Sequence, residues 1–373
     1  MKQKLLMFHP IIAPYRIDVV NKFAADFDMK LCLLNKNLVT QTFDIEALYR
    51  ERLHIKPVYV QEKRRILGVD IPIGLFEIIE SCHPDVVLVW EFGVVTWQVL
   101  FHRWKTHSQY KVISLVDDSY DMLVSGRYIS GRHRLAQQLA MPFIDQVINV
   151  EPRAAEWYRR RYKKGVLFPI ISEEHGFRER LKRVLSISEE LLGQFHLEGK
   201  RVLLYVGRLV SVKNLCMAVE AFKKADVKDS VFVIVGDGEE RDNLNALTGA
   251  DPTIQLVGRY EGDALYAWYN IASVFVLPSI IEPFGAVTNE ALIAGCYSLI
   301  SMHAGSSCLI TDGVNGNTFE PTDVNKMASL VKKALSTSQL LKTPLPVKPN
   351  RMPQSFDMYY NDLKQGICNT CNA

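Results

Sequence analysis

Short, continuous apolar segments alternate with longer segments of helical periodicity through most of this chain. Runs of Val, Ile and Leu that are bounded by polar residues predict buried strands, and apolar residues that recur every three or four positions predict amphipathic helices. Continuous apolar strands separated by helices are typical of parallel sheets covered on both faces. In the first half the predicted strands are Lys4–Phe8, Lys30–Leu34, Val86–Trp90, Val112–Val116 and Gln146–Val150.

The second half repeats this alternation. Its predicted strands are Arg201–Val206, Val231–Val235, Ile254–Val257, Val274–Leu277 and Tyr297–Ile300, and its helices are Lys213–Ala225, Glu239–Leu247, Gly262–Tyr269 and Gly285–Ala294. Two such series predict an α/β protein of two doubly wound domains. We place the first domain at 1–172, a charged linker at 173–199, the second domain at 200–350 and a C-terminal helix within 351–373.

Composition narrows the class of protein further. The chain has 373 residues, 48% of them hydrophobic, which excludes a disordered or fibrous protein. Its net charge of +3 is too small to call for a nucleic-acid partner. The N-terminal apolar stretch is too short for a signal peptide, and seven scattered cysteines do not resemble a disulfide framework. We therefore expect a soluble, cytoplasmic protein, and the lone C-x-x-C of Cys368 and Cys371 does not favour a metal site.

A candidate anion site follows the first strand of the second domain. Gly207 permits a tight turn after this strand, and Arg208 and Lys213 place two cations at the carboxyl edge of the sheet, where open α/β sheets bind ligands. Two charge-assisted hydrogen bonds could hold a diphosphate. The alternative is that Arg208 and Lys213 are ordinary surface charges exposed to solvent.

A second candidate lies in the segment Pro278–Leu292. Glu282 occupies the loop after a predicted strand, and Glu290 lies in the helix that Gly285 opens. Exposed backbone N–H groups from Gly285 to Val287, including that of Ala286, would bind an anion, while the flanking carboxylates would accept from hydroxyl groups. This pattern suits a nucleotide-sugar. The alternative is a pair of ordinary glutamates near a helix start, where the helix dipole favours them.

The ordered motifs of this half resemble a known family. The string Pro-Ser-x-x-Glu-Pro-Phe-Gly-x-x-x-x-Glu-Ala-x-x-x-Gly, with Glu282 and Glu290 as its glutamates, is similar to the hallmark of family 4 retaining glycosyltransferases of the GT-B fold. Further matches are Val206-Gly-Arg208, Lys213-Asn214, Val235-Gly-Asp-Gly-Glu239, Val257-Gly258 and Asp312-Gly313-x-x-Gly316.

The resemblance implies two Rossmann-like domains that face each other across a cleft, the first binding acceptor and the second binding donor. It implies sugar transfer from a nucleotide-sugar, UDP- or GDP-linked, with retained configuration and with neither a metal nor another cofactor. Arg208 and Lys213 would neutralise the leaving diphosphate, Glu282 would hold the donor sugar and Glu290 the ribose. The site would further contain Gly207, Gly236, Phe284, Gly285, Ala286 and Val287.

The first half matches the family less closely. Many members have paired glycines after the first strand, where this chain has His9 to Arg16, and we expect Arg16 to contact acceptor or phosphate unless it has a surface role. The histidine that the family often has stands here as Val116, followed by Asp117 and Asp118. The acceptor-side hydrogen bond is thus left to Asp117, Asp118 or His9.

Several alternatives and partners remain open. The acidic string from Asp117 to Asp121 also resembles motifs of metal-dependent GT-A glycosyltransferases, and a non-catalytic nucleotide-sugar-binding protein could keep the GT-B fold. The basic stretch 159–164, with Arg127, Arg132 and Arg134, is either a solvated helix face or a contact for an anionic membrane. The expected role is cell-surface polysaccharide synthesis on a glycan or lipid-linked acceptor, at the cytoplasmic membrane face and without nucleic acid.

Overall fold

Every strand of the two main sheets runs parallel to its neighbours, in accordance with the continuous apolar strands of the sequence. The computed structural model describes residues 2–36, 45–66, 68–126, 129–249 and 251–372, so that Arg127 lies outside the described residues. The chain divides into two units, one comprising Met1–Ile170 with Asp357–Ala373 and the other Ile171–Phe356. The predicted class, α/β with two Rossmann-like doubly wound domains, is confirmed.

The first unit is built on a seven-stranded sheet. The strands described in this unit, inside and outside that sheet, are β1 (Lys4–His9), β2 (Asp28–Leu33), β3 (Val58–Tyr59), β4 (Lys63–Ile66), β5 (Val69–Pro72), β6 (Val86–Trp90), β7 (Lys111–Val116), β8 (Gln146–Asn149) and β9 (Val166–Leu167). The helices are α1 (Ile17–Asp26), α2 (Ile45–Arg52), α3 (Leu75–Cys82), α4 (Val94–Thr106), α5 (Tyr120–Ser125), α6 (Gly131–Ala140) and α7 (Pro152–Tyr162). The sheet order is β3-β2-β1-β6-β7-β8-β9, and β4 and β5 form a separate antiparallel pair.

The second unit is built on a six-stranded sheet of order β12-β11-β10-β13-β14-β15. Its helices are α8 (Glu174–Arg183), α9 (Leu185–Gln194), α10 (Leu215–Ala225), α11 (Arg241–Thr248), α12 (Gly262–Ile271), α13 (Val287–Ile293) and α14 (Val324–Thr337). Its strands are β10 (Arg201–Val206), β11 (Ser230–Val235), β12 (Ile254–Gly258), β13 (Val274–Leu277), β14 (Tyr297–Ser301) and β15 (Gly316–Phe319). Strand β11 is buried along its whole length, because helices cover both faces of the sheet.

The stretch 173–199, which we predicted as a linker, is instead largely helical. Helices α8 and α9 bury Phe177, Leu181 and Leu192 in the core of the second unit. The high charge of this stretch misled the prediction, since the charges occupy the exposed faces of the two helices while the apolar residues recur at helical spacing. The second unit therefore begins at Ile171, before the predicted boundary at 200.

The C-terminal helix α15 (Phe356–Asn372) belongs, from Asp357 onwards, to the first unit. The hydroxyl of Tyr360 donates to Asp26 Oδ2 at 3.0 Å, and the ring of Tyr360 lies 5.9 Å from that of Phe23. Lys364 also forms an ion pair with Asp26 at 2.9 Å. These contacts attach the end of the chain to α1. Among the described residues, no helix has both the length and the apolar character needed to cross a bilayer.

Replacement of Phe177 by alanine tests whether α8 is part of the second core. The Phe177 ring is 1% exposed and packs edge-on against Tyr266 at 5.1 Å. We expect Phe177→Ala to lower the free energy of unfolding by about 3–5 kcal/mol, measured by urea denaturation. The control Glu179→Ala, on the exposed face of the same helix, should cost less than about 1 kcal/mol. Equal effects of the two substitutions would contradict this assignment of α8.

Candidate functional site

Strands β10 and β13 are neighbours in the second sheet, although β11 and β12 lie between them in sequence. In open α/β sheets, ligands bind beyond the carboxyl ends of the strands at such a reversal of strand order. Lys213 follows β10, and Glu282 follows β13. Two predicted site residues from distant parts of the sequence therefore reach the same edge.

Lys213 and Glu282 form a direct ion pair through Nζ and Oε2. Their side chains are only 13% and 11% exposed. A partly buried ammonium and carboxylate lose much of their hydration, so that each depends on the other for its electrostatic stabilisation. An incoming anion would have to compete with Glu282 for this lysine.

Tyr205 connects Arg208 with this ion pair. Its buried hydroxyl donates to the backbone carbonyl of Arg208 at 2.9 Å. Burial, and then the negative charge of Glu282, raise the pKa of Tyr205, whereas Arg208 acts in the opposite direction. The hydroxyl is thus neutral at physiological pH, and the tyrosine lies within electrostatic reach of both Arg208 and Glu282. Sequence reasoning missed Tyr205 because it occupies an ordinary position in a buried strand.

The glycines after β10 and β11 allow two loops to pack closely. A Cβ atom on Gly236 would lie 1.9 Å from the carbonyl oxygen of Gly207, which no side chain could tolerate. The amide of Leu209 donates to the carbonyl of Asp237 at 2.9 Å in the same contact. Both predicted glycines therefore shape the backbone beside Arg208.

The loop that carries Glu282 is fixed by backbone contacts. Gly285 has a φ of 92°, and a Cβ atom there would approach Leu277 Cδ2 to 2.6 Å. The amide of Gly305 donates to the Glu282 carbonyl at 3.2 Å. Phe284, which we predicted as a substrate contact, has its ring buried at 1% exposure. Its side chain anchors this loop in the protein interior, so any contact with a ligand would have to come from its backbone.

Helix α13 begins directly after this loop. Ala286 is its N-cap and Val287 its first residue, while Thr288 Oγ1 and Ser306 Oγ are hydrogen-bonded at 2.8 Å. The helix has only seven residues, so its dipole is small. The positive charge at this edge therefore comes mainly from Arg208 and Lys213.

Glu290 is held by a buried tyrosine. The hydroxyl of Tyr269 donates to Glu290 Oε2 at 2.7 Å. Burial, followed by the nearby carboxylate of Glu290, raises the pKa of Tyr269 well above its usual value, so this hydroxyl remains a donor. The hydrogen bond orients the carboxylate before any ligand arrives. Nothing in the sequence motif indicated Tyr269.

The corresponding edge of the first unit is also charged. Arg16, which we expected to be either a ligand contact or a surface residue, is 8% exposed and forms an ion pair with Asp117. Burial acts to lower the pKa of Arg16, but Asp117, Tyr15 and Glu91 together more than offset it and the pKa is raised. The indole of Trp90 donates to the other oxygen of Asp117 at 3.5 Å. The structure thus joins Arg16 and Asp117, two residues that the sequence named separately.

His9, the third acceptor-side candidate, lies at the end of β1 and is 5% exposed. Burial and the nearby positive charge of Arg16 lower its pKa to about 3. Its imidazole is therefore neutral at physiological pH. In that form it can take part in hydrogen bonds, but it cannot supply a positive charge.

Comparison with known proteins finds a family model that matches most of the second unit. Residues 188–345 match the family model described as glycosyl transferases group 1. An uncharacterized glycosyltransferase of Methanocaldococcus jannaschii is 33% identical over 143 residues, which cover 37% of this chain and 37% of that protein. A lipopolysaccharide 1,2-N-acetylglucosaminetransferase of Salmonella typhimurium is 29% identical over 156 residues, 38% of this chain and 41% of its own length. The chain thus spans about two fifths of the length of these curated relatives.

Solved structures extend the likeness to nearly the whole chain. HepE of Anabaena, determined in complex with UDP and glucose, has a TM-score of 0.72 at 15% identity and covers 98% of this chain and 100% of its own. The lipopolysaccharide outer core galactosyltransferase WaaB has a TM-score of 0.68 at 14% identity and covers 98% and 99%. The protein therefore has the GT-B fold, and within its second unit residues 188–345 match the family model of glycosyl transferases group 1.

Proposed function

We propose that this protein is a retaining glycosyltransferase that moves a sugar from a UDP- or GDP-linked donor to a glycan or lipid-linked acceptor. Its role would be cell-surface polysaccharide synthesis at the cytoplasmic face of the membrane. The observation that carries the proposal is the arrangement of Lys213, Glu282 and Arg208 around Tyr205, within the domain matched to glycosyl transferases group 1.

The donor site would use the charges at the carboxyl edge of the second sheet. Arg208 and Lys213 supply two positive charges against one from Glu282, which leaves a net charge suited to a diphosphate. When the donor binds, Lys213 exchanges Glu282 for a phosphate oxygen, and the released carboxylate accepts from sugar hydroxyls. Glu290, oriented by Tyr269, would accept from the ribose. The amides from Gly285 to Val287, beside Gly207 and Gly236, complete the cradle.

Catalysis would be electrostatic. Negative charge grows on the departing phosphate while the sugar becomes oxocarbenium-like, and fixed cations lower the energy of that transition state. Because Arg208 and Lys213 supply the charge, departure of the diphosphate needs no metal ion. The acceptor would attack from the face that the diphosphate leaves, with the donor phosphate taking its proton, and configuration would be retained.

The known structures and relatives support the choice of ligands. HepE was solved with UDP and glucose, which favours a nucleotide-sugar as the donor here. The Salmonella relative acts on lipopolysaccharide, which favours an acceptor on a cell-surface glycan. On the acceptor side, Asp117 follows β7 in the first unit, and a carboxylate of this kind can bind the hydroxyl groups of sugars.

A membrane contact would come from the first unit. Helix α4 exposes Trp97, Phe101 and Trp104 at positions i, i+4 and i+7, which lie on one helix face, and Trp104 is 71% exposed. Lys105 is also exposed on this helix. Aromatic side chains beside basic residues suit the headgroup region of an anionic bilayer.

Two further observations concern the basic residues that the sequence suggested as a membrane contact. Arg159 and Arg160 of the basic stretch both form ion pairs with Glu156 on their own helix, which reduces the charge they offer to a membrane. Helix α6 instead exposes Leu135 and Leu139. The exposed basic residues of that helix are Arg132 and Arg134. Because tryptophan favours the membrane–water interface, we choose the α4 face, with Trp97 and Trp104, for the test.

Binding of the nucleotide is the first test. We expect UDP or GDP, and not ADP, to raise the melting temperature of the wild type, because a ligand at 100 times its Kd stabilises the folded state by about 2.7 kcal/mol. Incubation with UDP- and GDP-sugars should then release free UDP or GDP. Binding without release or transfer across a broad acceptor panel would identify a nucleotide-sugar-binding protein instead of an enzyme.

Substitution at the Lys213–Glu282 pair separates binding from catalysis. Glu282→Gln removes the carboxylate that competes for Lys213, so the free nucleotide should bind about tenfold more tightly, a change of ~1.4 kcal/mol. Sugar transfer should nevertheless slow, because the neutral amide accepts hydrogen bonds from the donor sugar's hydroxyls more weakly than the carboxylate does. Lys213→Ala should reduce kcat/KM by about a hundredfold or more.

Lys223→Ala provides the matched control for this pair, since Lys223 is exposed on α10 in the same unit. Its kinetics should equal those of the wild type. Unchanged nucleotide affinity in Glu282→Gln would contradict the competition that we propose.

The α4 face can be tested by flotation with lipid vesicles. Wild-type protein should float with vesicles that contain phosphatidylglycerol, less so at high salt and least with pure phosphatidylcholine. The double variant Phe101→Ala/Trp104→Ala should lose this association. Leu247→Ala, an exposed apolar residue on α11, should retain it. Flotation that is insensitive to the double variant would rule out this face.

A further inference from the structure

Three side chains converge at the carboxyl edge of the first sheet without satisfying one another. His133 Nε2 lies 3.5 Å from Glu91 Oε2 and 3.4 Å from Asp118 Oδ2. All three atoms are buried and have no hydrogen-bond partner. Asp118 is only 8% exposed, and its unpartnered oxygen is aimed at the imidazole. A buried polar atom without a partner is costly, so this arrangement calls for a further group.

The spacing of these atoms fits a metal ion better than it fits direct hydrogen bonds. A hydrogen bond from a ring nitrogen to a carboxylate usually measures about 2.7–3.2 Å, shorter than either contact here. Ligands about 2.0–2.2 Å from a tetrahedral zinc ion lie roughly 3.3–3.6 Å from each other. Both distances from His133 fall in that range, and one ligand atom from each of the three residues lies within 4.8 Å of the other two.

The backbone of Glu91 is held in an uncommon conformation that aims its side chain into the cluster. Its φ is 56°, in the left-handed region that residues other than glycine seldom adopt. Its amide donates to the Leu115 carbonyl at 2.9 Å, and its carbonyl accepts from Thr96 Oγ1 and Ser114 Oγ at 2.9 and 3.0 Å. Glu91 Oε1 accepts from the amide of Asp117 at 3.0 Å. One carboxylate oxygen is thus fixed by the protein while the other faces His133.

The imidazole of His133 is also oriented. The ring of Phe92 lies edge-on to it, with centroids 5.7 Å apart. The amide of His133 donates to Ser130 Oγ at 3.1 Å, which caps the start of α6. The nearby cation Arg16 is already paired with Asp117. The two carboxylates of the cluster therefore lack a dedicated positive partner.

We propose that Glu91, Asp118 and His133 bind a divalent transition-metal ion of the zinc class. One imidazole and two carboxylates are ligands that Zn²⁺ accepts, and a cation would satisfy all three unpartnered atoms at once. Three protein ligands leave a coordination position for water or for a hydroxyl group. The His133 side chain is 28% exposed although its Nε2 is buried, so the cluster lies close to the protein surface. The proposal does not depend on glycosyl transfer, because the diphosphate site lies in the other unit.

Metal content gives the direct test. Wild-type protein treated with EDTA, reloaded with Zn²⁺ and desalted should retain one zinc ion per chain by mass spectrometry. Glu91→Gln and His133→Gln should bind Zn²⁺ at least about tenfold more weakly. His303→Gln is the matched control, because His303 faces a single carboxylate, that of Glu320, at 3.4 Å in the other unit. It should retain the metal.

Cobalt distinguishes this cluster from the cysteines. All seven thiols are free, and Cys368 and Cys371 could bind metal by themselves. Co²⁺ in the wild type should show visible bands of a tetrahedral nitrogen and oxygen site, without charge transfer from sulfur, and the bands should survive in Cys368→Ser/Cys371→Ser. Retention should fall in acid, since the ligands must be unprotonated. Wild type without stoichiometric metal, or equal binding by Glu91→Gln, would overturn the proposal and would leave the transferase assignment untouched.

Discussion

The position of the topological switch point in each sheet determines where the chemistry of this protein can lie. In the second unit the switch falls between β10 and β13, and in the first between β1 and β6. Side chains that follow those strands must meet at one edge, however far apart they are in sequence. Lys213 and Glu282 meet in this way, although 69 positions separate them. The parallel topology, more than any single motif, assembles the candidate site.

The two edges differ in chemical character. At the second sheet, Arg208 and Lys213 outnumber Glu282, and the surplus positive charge suits an anion. At the first sheet, the carboxyl groups of Glu91 and Asp118 lie beside an ion pair that is already balanced, Arg16 with Asp117, and burial raises the pKa of Glu91. Such an edge suits hydroxyl groups or a cation. The two Rossmann-like units therefore share an architecture but would recognise opposite kinds of ligand.

The sequence predicted the architecture well because buried parallel strands leave a strong apolar signal. All ten predicted strands are present within two residues of their expected ends, whereas the exposed strand β4 and the two-residue strand β9 carry no such signal. Residues of the candidate donor site could be named because they belong to short local motifs, and their role stays a prediction. His133 was not named, since neither the left-handed conformation of Glu91 nor the return of α6 to that edge can be read from local pattern. In α8 and α9, the many charged residues obscured the helical spacing of the apolar residues, so both helices were missed.

An ion pair lies largely buried at the switch point of each sheet. Function explains the presence of these pairs better than stability does. Removing an ammonium and a carboxylate from water costs about as much as their attraction returns, so apolar residues of similar size would stabilise the fold at least as well. Lys213 with Glu282 and Arg16 with Asp117 both lie where open α/β sheets bind ligands. Each pair keeps a charged group oriented without a ligand and can release it to one. A surface pair such as Arg160 with Glu156, solvent-exposed and one helix turn apart, can make no comparable contribution.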